Sequence, residues 1–158
     1  SSYTVFKGSM CFVAGNGDYR LRTRETKAST DELELEALTL ALKYLLKVGA
    51  RKAVIESDSV AALEAVEQIV HKRGSKASRP GRTWRGVSSG ARSRFQQAWG
   101  DIQGQCEVDI RRVLGHAGDP LNRAADQIAY MGLRAIAHPM KQSRETLREG
   151  IQKALSAL

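Results

Sequence analysis

Four residues combine a ligating or proton-carrying side chain with a useful position: Glu34, Asp58, His116 and Asp126. Three are carboxylates, the hard oxygen donors that hold Mg2+ and similar cations. The fourth is an imidazole in Gly115-His116-Ala117-Gly118, able to exchange a proton near neutral pH. Each also has a plain structural reading. At about 100° per residue, Glu34 points about 200° away from Glu32 on the helix they share. That places it with Ala37, Leu38, Ala41 and Leu45, whereas Glu32, Glu36, Thr39, Lys43 and Lys47 line up as a solvent stripe. Glu34 is either a first-turn acid favoured by the helix dipole or a sheet-facing carboxylate kept to bind a cation. Asp58 stands between a β-prone run and a helix, so it reads as an N-cap or as a ligand at a strand end. Glu56, on the same strand face, adds negative potential or hydrates an edge. His116 is a solvated loop histidine or a proton shuttle, and Asp126 lies beside the polar stripe Arg123, Gln127 and Arg134. Singly these are weak signals. In an α/β fold, carboxylates at a strand end and at helix starts can converge, and such a set suits two Mg2+ ions in phosphodiester chemistry.

The elements that must position them follow from pattern and caps. Ser9 to Ala14 is an apolar run, Gly15-Asn16-Gly17-Asp18 a turn, and Tyr19 to Lys27 an alternating run, together a hairpin. Arg20, Arg22 and Arg24 share one face of its second strand, either a solvated face or part of a binding surface. Ser29 and Glu32 form a capping box for a helix that ends at Val48-Gly49. Ala53-Val54-Ile55 is a strand, followed by a helix over about Val60–Val70 with Ala62, Leu63, Val66, Ile69 and Val70 as its apolar face. Helical spacing returns at Ala91–Gln103, and Val108–Leu114 is another strand. Asp119-Pro120 supplies the cap and first turn of a helix to Ile136. A last amphipathic helix, 143–158, carries Leu147, Ile151, Leu155 and Leu158. It packs on the domain, or forms an interface with a second copy or with the rest of a longer protein. The order predicts a mixed sheet with helices packed on it.

Charge separates one segment from the rest. The 158 residues hold 25 Lys and Arg against 17 Asp and Glu, a net +8. His71 to Arg94 contains Lys72, Arg73, Lys76, Arg79, Arg82, Arg85, Arg92 and Arg94 and no acid, so the remainder is neutral. A basic segment rich in Gly, Ser and Pro points to a polyanion, most simply a nucleic-acid backbone. Trp84 within it is either a stacking residue or a linker tryptophan. Apolar residues at 42% and charged residues at 27% exclude a disordered or fibrous chain. No apolar run approaches the ~20 residues of a membrane span. No secretory signal is read and the two cysteines are far apart, so a cytoplasmic location is expected.

Ser29-Thr30-Asp31-Glu32-Leu33-Glu34-Leu35-Glu36-Ala37-Leu38, Ser57-Asp58-Ser59 and Gly115-His116-Ala117-Gly118 with Asn122 and Asp126 resemble the core motifs of type 1 ribonuclease H, in the same order. The resemblance spans about Ser9 to Ile136. It implies an α/β, RNase H-like fold, a mixed five-stranded sheet flanked by helices, and cleavage of the RNA strand of RNA–DNA hybrids. By resemblance, Glu34, Asp58 and Asp126 are metal ligands for two Mg2+ ions, with Mn2+ a possible substitute. Glu34 is preferred because Ala37, Ala41 and Leu42 then match the family's small and apolar helix positions. His116 is the mobile histidine that assists proton transfer or product release. Asn122 lies near the substrate, and the basic segment matches a protrusion that grips the hybrid through Lys72, Arg73, Lys76, Arg79, Arg82, Trp84 and Arg85. The family's first strand ends in a metal-bridging Asp. The chain starts at Ser1-Ser2-Tyr3, about where the residues after that Asp fall, so the first strand is expected to be missing and catalysis to depend on an Asp just upstream.

The expected organisation is an RNase H-like domain over 1–138, with a basic insert at 71–94, and a helical extension over 139–158 that could support oligomerisation. The leading functional expectation is a metal-dependent endoribonuclease acting on RNA–DNA hybrids, without a membrane. The alternative is a catalytically degenerate domain that binds nucleic acid or a protein without cutting. A third reading, a transposase or resolvase, is opposed by the Gly-His-Ala-Gly loop.

Overall fold

The computed structural model describes residues 7–71, 87–114, 119–138 and 143–158. Its contacts divide the chain into two units, 1–27 with 114–158, and 28–113. No described helix is long and apolar enough to cross a membrane.

The first unit starts with a hairpin of β1 (Lys7–Val13) and β2 (Tyr19–Glu25). The predicted turn forms. Ala14 N–H donates to Asp18 O at 2.7 Å, Asp18 N–H donates to the Asn16 side chain at 2.9 Å, and Gly17 takes φ 88°. That left-handed value is open to glycine at little cost. The antiparallel register pairs Cys11 with Leu21 and Met10 with Arg22. Residues opposite each other share a face. Cys11, Val13, Tyr19 and Leu21 therefore lie together, and they pack with Ile128 of α4 (Pro120–Ala137) and Ile151 of α5 (Arg144–Ser156). Asp119 caps α4 through a 2.8 Å bond from Asn122 N–H, with Pro120 in the first turn as the sequence predicts. Leu147 and Leu155 join Ile151 in this core, so the final helix lays its apolar stripe on its own chain.

The second unit starts with α1 (Thr30–Val48), capped by Ser29 at one end and by left-handed Gly49, φ 67°, at the other. β3 (Lys52–Ser57) leads to α2 (Val60–His71); α3 (Ser89–Ile102) leads to β4 (Glu107–Arg112). β3 and β4 pair in parallel, Lys52 opposite Glu107 and Ile55 opposite Ile110. The core joins Leu35, Leu38 and Leu42 of α1, Ala62, Ala65 and Val66 of α2, and Phe95, Ala98 and Ile102 of α3. Phe95 stacks on Trp99 with ring centroids 6.2 Å apart.

The described residues hold four strands, one antiparallel pair and one parallel pair, the mix of directions that the order of elements predicts. Two expectations need correction. Glu36 and Thr39 are not on a solvent stripe but buried, at 6% and 5% exposure. α3 packs across that face of α1, which the periodicity of one helix cannot reveal. Finally, the end of the basic segment belongs to the folded unit. Val87 is buried in the core, Ser88 caps α3 through Ala91 N–H, and Arg92 and Arg94 lie on that helix.

Candidate active site

The first turn of α1 contains three nearby acids with separate placements. Glu32 Oε2 accepts the Ser88 backbone N–H at 2.8 Å, so its carboxylate ties α1 to the start of α3. The Ser29 half of the predicted capping box is present, its hydroxyl accepting Glu32 N–H at 3.1 Å. Glu36 is paired with Arg94 of α3 at 2.5 Å. Glu32 and Glu36 are four residues apart and both face α3; Glu34, between them, lies about 200° from each. It is half-buried. The acids within the first helical turn are Asp31 and Glu32, so the dipole is served before Glu34 is reached.

Asp58 is also half-buried, directly after β3. The cap of α2 is formed by its neighbour. Ser59 Oγ accepts Ala62 N–H at 3.2 Å, and Ser59 O accepts Leu63 N–H. Ser57 Oγ accepts Ser59 N–H at 3.2 Å and completes the turn. The N-cap reading of Asp58 is therefore replaced by Ser59.

Asn122 and Asp126 lie one turn apart on α4, half-buried and exposed respectively. The Asp126 charge acts on Cys11 of β1, whose thiol is pushed up to about 12, chiefly by burial and secondarily by that carboxylate. One turn further, Tyr130 is exposed and lies under the Arg134 guanidinium, 5.8 Å from the ring centroid. Glu34 and Asp58 thus belong to one unit, and Asn122 and Asp126 to the other. His116 and the predicted contacts Lys72, Arg73, Lys76, Arg79, Arg82, Trp84 and Arg85 lie outside the described residues.

Among the described residues, no three His, Cys, Asp or Glu side chains form a ready-made metal cluster. Glu34 and Asp58 are nevertheless the donor type Mg2+ prefers, on α1 and at the end of β3, which pack together. Mg2+ is usually held by one or two carboxylates with substrate phosphates and water, rather than by an all-protein cage. The residues present fit that mode, and nothing in it asks for the sulfur or imidazole of a zinc site.

Residues 2–134 match the family model for RNase H. A ribonuclease H from Maricaulis maris (strain MCS10) is 30% identical over 121 residues, covering 72% of each chain. Among solved structures, an N-terminal RNase H domain from Mycobacterium tuberculosis, fused to maltose-binding protein, superposes with a TM-score of 0.54. At 16% identity, over 86% of this chain and 97% of that one, the likeness concerns the fold. With the motifs around Glu34, Asp58 and Asp126 carried in order through the matched span, this chain is a member of the RNase H family.

Proposed function

We propose that the protein cleaves the RNA strand of RNA–DNA hybrids, with Glu34, Asp58 and Asp126 holding two Mg2+ ions. Family membership carries the coarser statement, ribonuclease H activity. The observation that best supports the finer one is the position of two half-buried carboxylates, Glu34 on α1 and Asp58 directly after β3, on elements that pack together.

Bound Mg2+ would supply Lewis-acid activation of water and stabilisation of the leaving 3′ oxygen; Mn2+ shares the preference for carboxylate oxygen and could substitute. The chain's own residues do the rest. Glu34, Asp58 and Asp126 would supply carboxylate oxygens to the ions, and a scissile phosphate would complete the coordination. His116, in the Gly115-His116-Ala117-Gly118 run, takes up or delivers a proton near neutral pH and aids product departure. Asn122 contacts the substrate strand, and Lys72, Arg73, Lys76, Arg79, Arg82 and Arg85 neutralise phosphates while Trp84 stacks on a base or sugar. Hybrid preference arises from 2′-OH groups read across a minor groove. The buried free thiols of Cys11 and Cys106 are consistent with a reducing, cytoplasmic setting.

Asp58→Asn keeps the size of the side chain and removes its charge. It should abolish Mg2+-dependent cutting of a labelled hybrid while hybrid binding persists. Undiminished cleavage by that variant would remove Asp58 from the site.

A further inference from the structure

The solvent face of α4 carries Arg123, Asp126, Gln127, Tyr130 and Arg134, away from the buried positions Ala124, Ile128 and Gly132. Tyr130 is the unexpected member of that stripe. Its chain neighbours Ala129 and Met131 pack on the core of Cys11, Ile128 and Ile151, whereas its own side chain is 60% exposed. Among the described residues it is the exposed aromatic; Phe12, Tyr19 and Trp99 are half-buried, and Tyr44 and Phe95 are buried. Helix propensity does not account for it, since tyrosine ranks below alanine, leucine and the long polar residues at an exposed helical position.

Its place on the helix is more informative. Tyr130 follows Asp126 by four residues, which sets it ~6 Å further along the axis and ~40° around it. Arg134 comes one turn later, with its guanidinium over the Tyr130 ring, 5.8 Å from the centroid. It stands in the last turn of α4, where the helix dipole favours any cation. Lysine would serve the dipole equally. Arginine adds a planar group that can lie on a ring while its fork donates to phosphate oxygens. An exposed ring beside a delocalised cation suits a nucleic-acid backbone, because the ring covers an apolar surface and the cation meets the charge beside it. The sign agrees as well. Once a bound cation engages Asp126, the two arginines leave the stripe positive.

We propose that Tyr130 and Arg134 bind the sugar–phosphate backbone of the hybrid beyond the cleaved bond, Tyr130 packing on a sugar and Arg134 pairing with the adjacent phosphate. The proposal rests on the hybrid-binding reading above, and it carries the substrate contact from Asp126 about two turns along α4.

The test is a titration of a fluorescent RNA–DNA hybrid by anisotropy, in chelator so that nothing is cut, over a series of salt concentrations. The unaltered full-length protein is compared with Tyr130→Ala, Tyr130→Phe, Arg134→Gln and Arg134→Lys, each checked for folding by circular dichroism and a melting curve. Tyr130→Ala should bind about fivefold or more weakly, and Tyr130→Phe, which keeps the ring, should bind nearly as the unaltered protein does. Arg134→Gln should weaken binding and lower the slope of log affinity against log salt by about 1, while Arg134→Lys keeps that slope. Folded Tyr130→Ala and Arg134→Gln proteins with unaltered affinity and slope overturn the proposal and leave the pair as a support for its own helix. An Arg134→Gln protein that binds more weakly with an unchanged slope overturns the phosphate contact, because such a contact must release counterions. A loss in Tyr130→Ala that Tyr130→Phe shares in full overturns the ring packing. If the unaltered protein binds hybrid but never cuts it with metal, the cleavage reading fails while these contacts stand or fall on the binding data. If it does not bind hybrid, both fall.

Discussion

Cys11 sits where the hairpin meets α4, and its thiol is held protonated up to about pH 12 by burial and by the charge of Asp126. An unfolded thiol titrates near 9, so between those values the unfolded chain releases a proton that the folded chain keeps. The stabilisation is complete below about pH 9 and falls by on the order of 1.4 kcal/mol per pH unit above it, until the folded thiol also ionises. Denaturant unfolding at rising pH should show this alkaline decline, reinforced by Cys106, whose thiol is also raised by burial and by Glu107. Cys11→Ala should flatten the decline, and Asp126→Asn should move the pH of Cys11 alkylation downward. An unmoved alkylation profile would contradict the placement of Asp126 beside the hairpin. At this scale the sequence was legible in kind. It marked Glu34, Asp58 and Asp126 as acids needing an explanation, because their types and order are visible in one dimension. It could not show that Ser59 rather than Asp58 caps α2, or that Glu36 points at Arg94, because those outcomes depend on which neighbour arrives in three dimensions.

Between elements, the most informative contacts are those joining α1 to α3. Glu36 is buried and Arg94 half-exposed, so the pair sits between the surface and interior limits. Arg94→Ala should cost about 2 kcal/mol, below the range for a fully buried pair because water reaches the guanidinium. A urea unfolding series measures it, and a loss near zero would mean that Glu36 finds water or another donor. The packing of α4 on the hairpin is equally specific. A Cβ on Gly132 would stand 2.8 Å from Leu21 Cδ1 and 3.0 Å from Ser9 Oγ, so Gly132→Ala should destabilise by about 1 to 2 kcal/mol. A Cβ on Gly150 would meet the sulfur of Met131 at 2.7 Å, the end of a flexible side chain. There the gain in helix propensity, up to about 1 kcal/mol, should offset the adjustment and leave Gly150→Ala neutral or stabilising. Thermal melts of the two variants should move apart. Element ends were readable because Ser29, Gly49, Asp119 and Pro120 act locally. Which helix covers which was not readable, since Glu36 and Thr39 look like surface positions until α3 is placed.

Over the whole molecule, the order of the nine elements among the described residues follows from turn residues and periodicity, while strand pairing does not. Four β-prone runs gave two pairs, and no local pattern tells one pair how to join another. The net charge of +8 has a similar division, between residues whose role is fixed by folding and residues available to a ligand. Arg94 belongs to the first class through Glu36, and Val87 and Ser88 are needed by the core and by the cap of α3. A deletion that tests the basic segment should therefore stop short of them. Removing residues 74–85 takes away Lys76, Arg79, Arg82 and Arg85; it should weaken hybrid binding at least tenfold and lower the salt slope by up to about 3 to 4. Melting behaviour should stay close to that of the intact protein. The account as a whole depends on chemistry at the carboxylates. The most direct test is incubation of the full-length protein with an end-labelled RNA annealed to DNA, with Mg2+ or with chelator, beside Asp58→Asn. It predicts internal cuts in the RNA strand with Mg2+ alone, none in chelator and none from the variant. Hybrid that is bound yet left intact by the unaltered protein, with either Mg2+ or Mn2+, would contradict it.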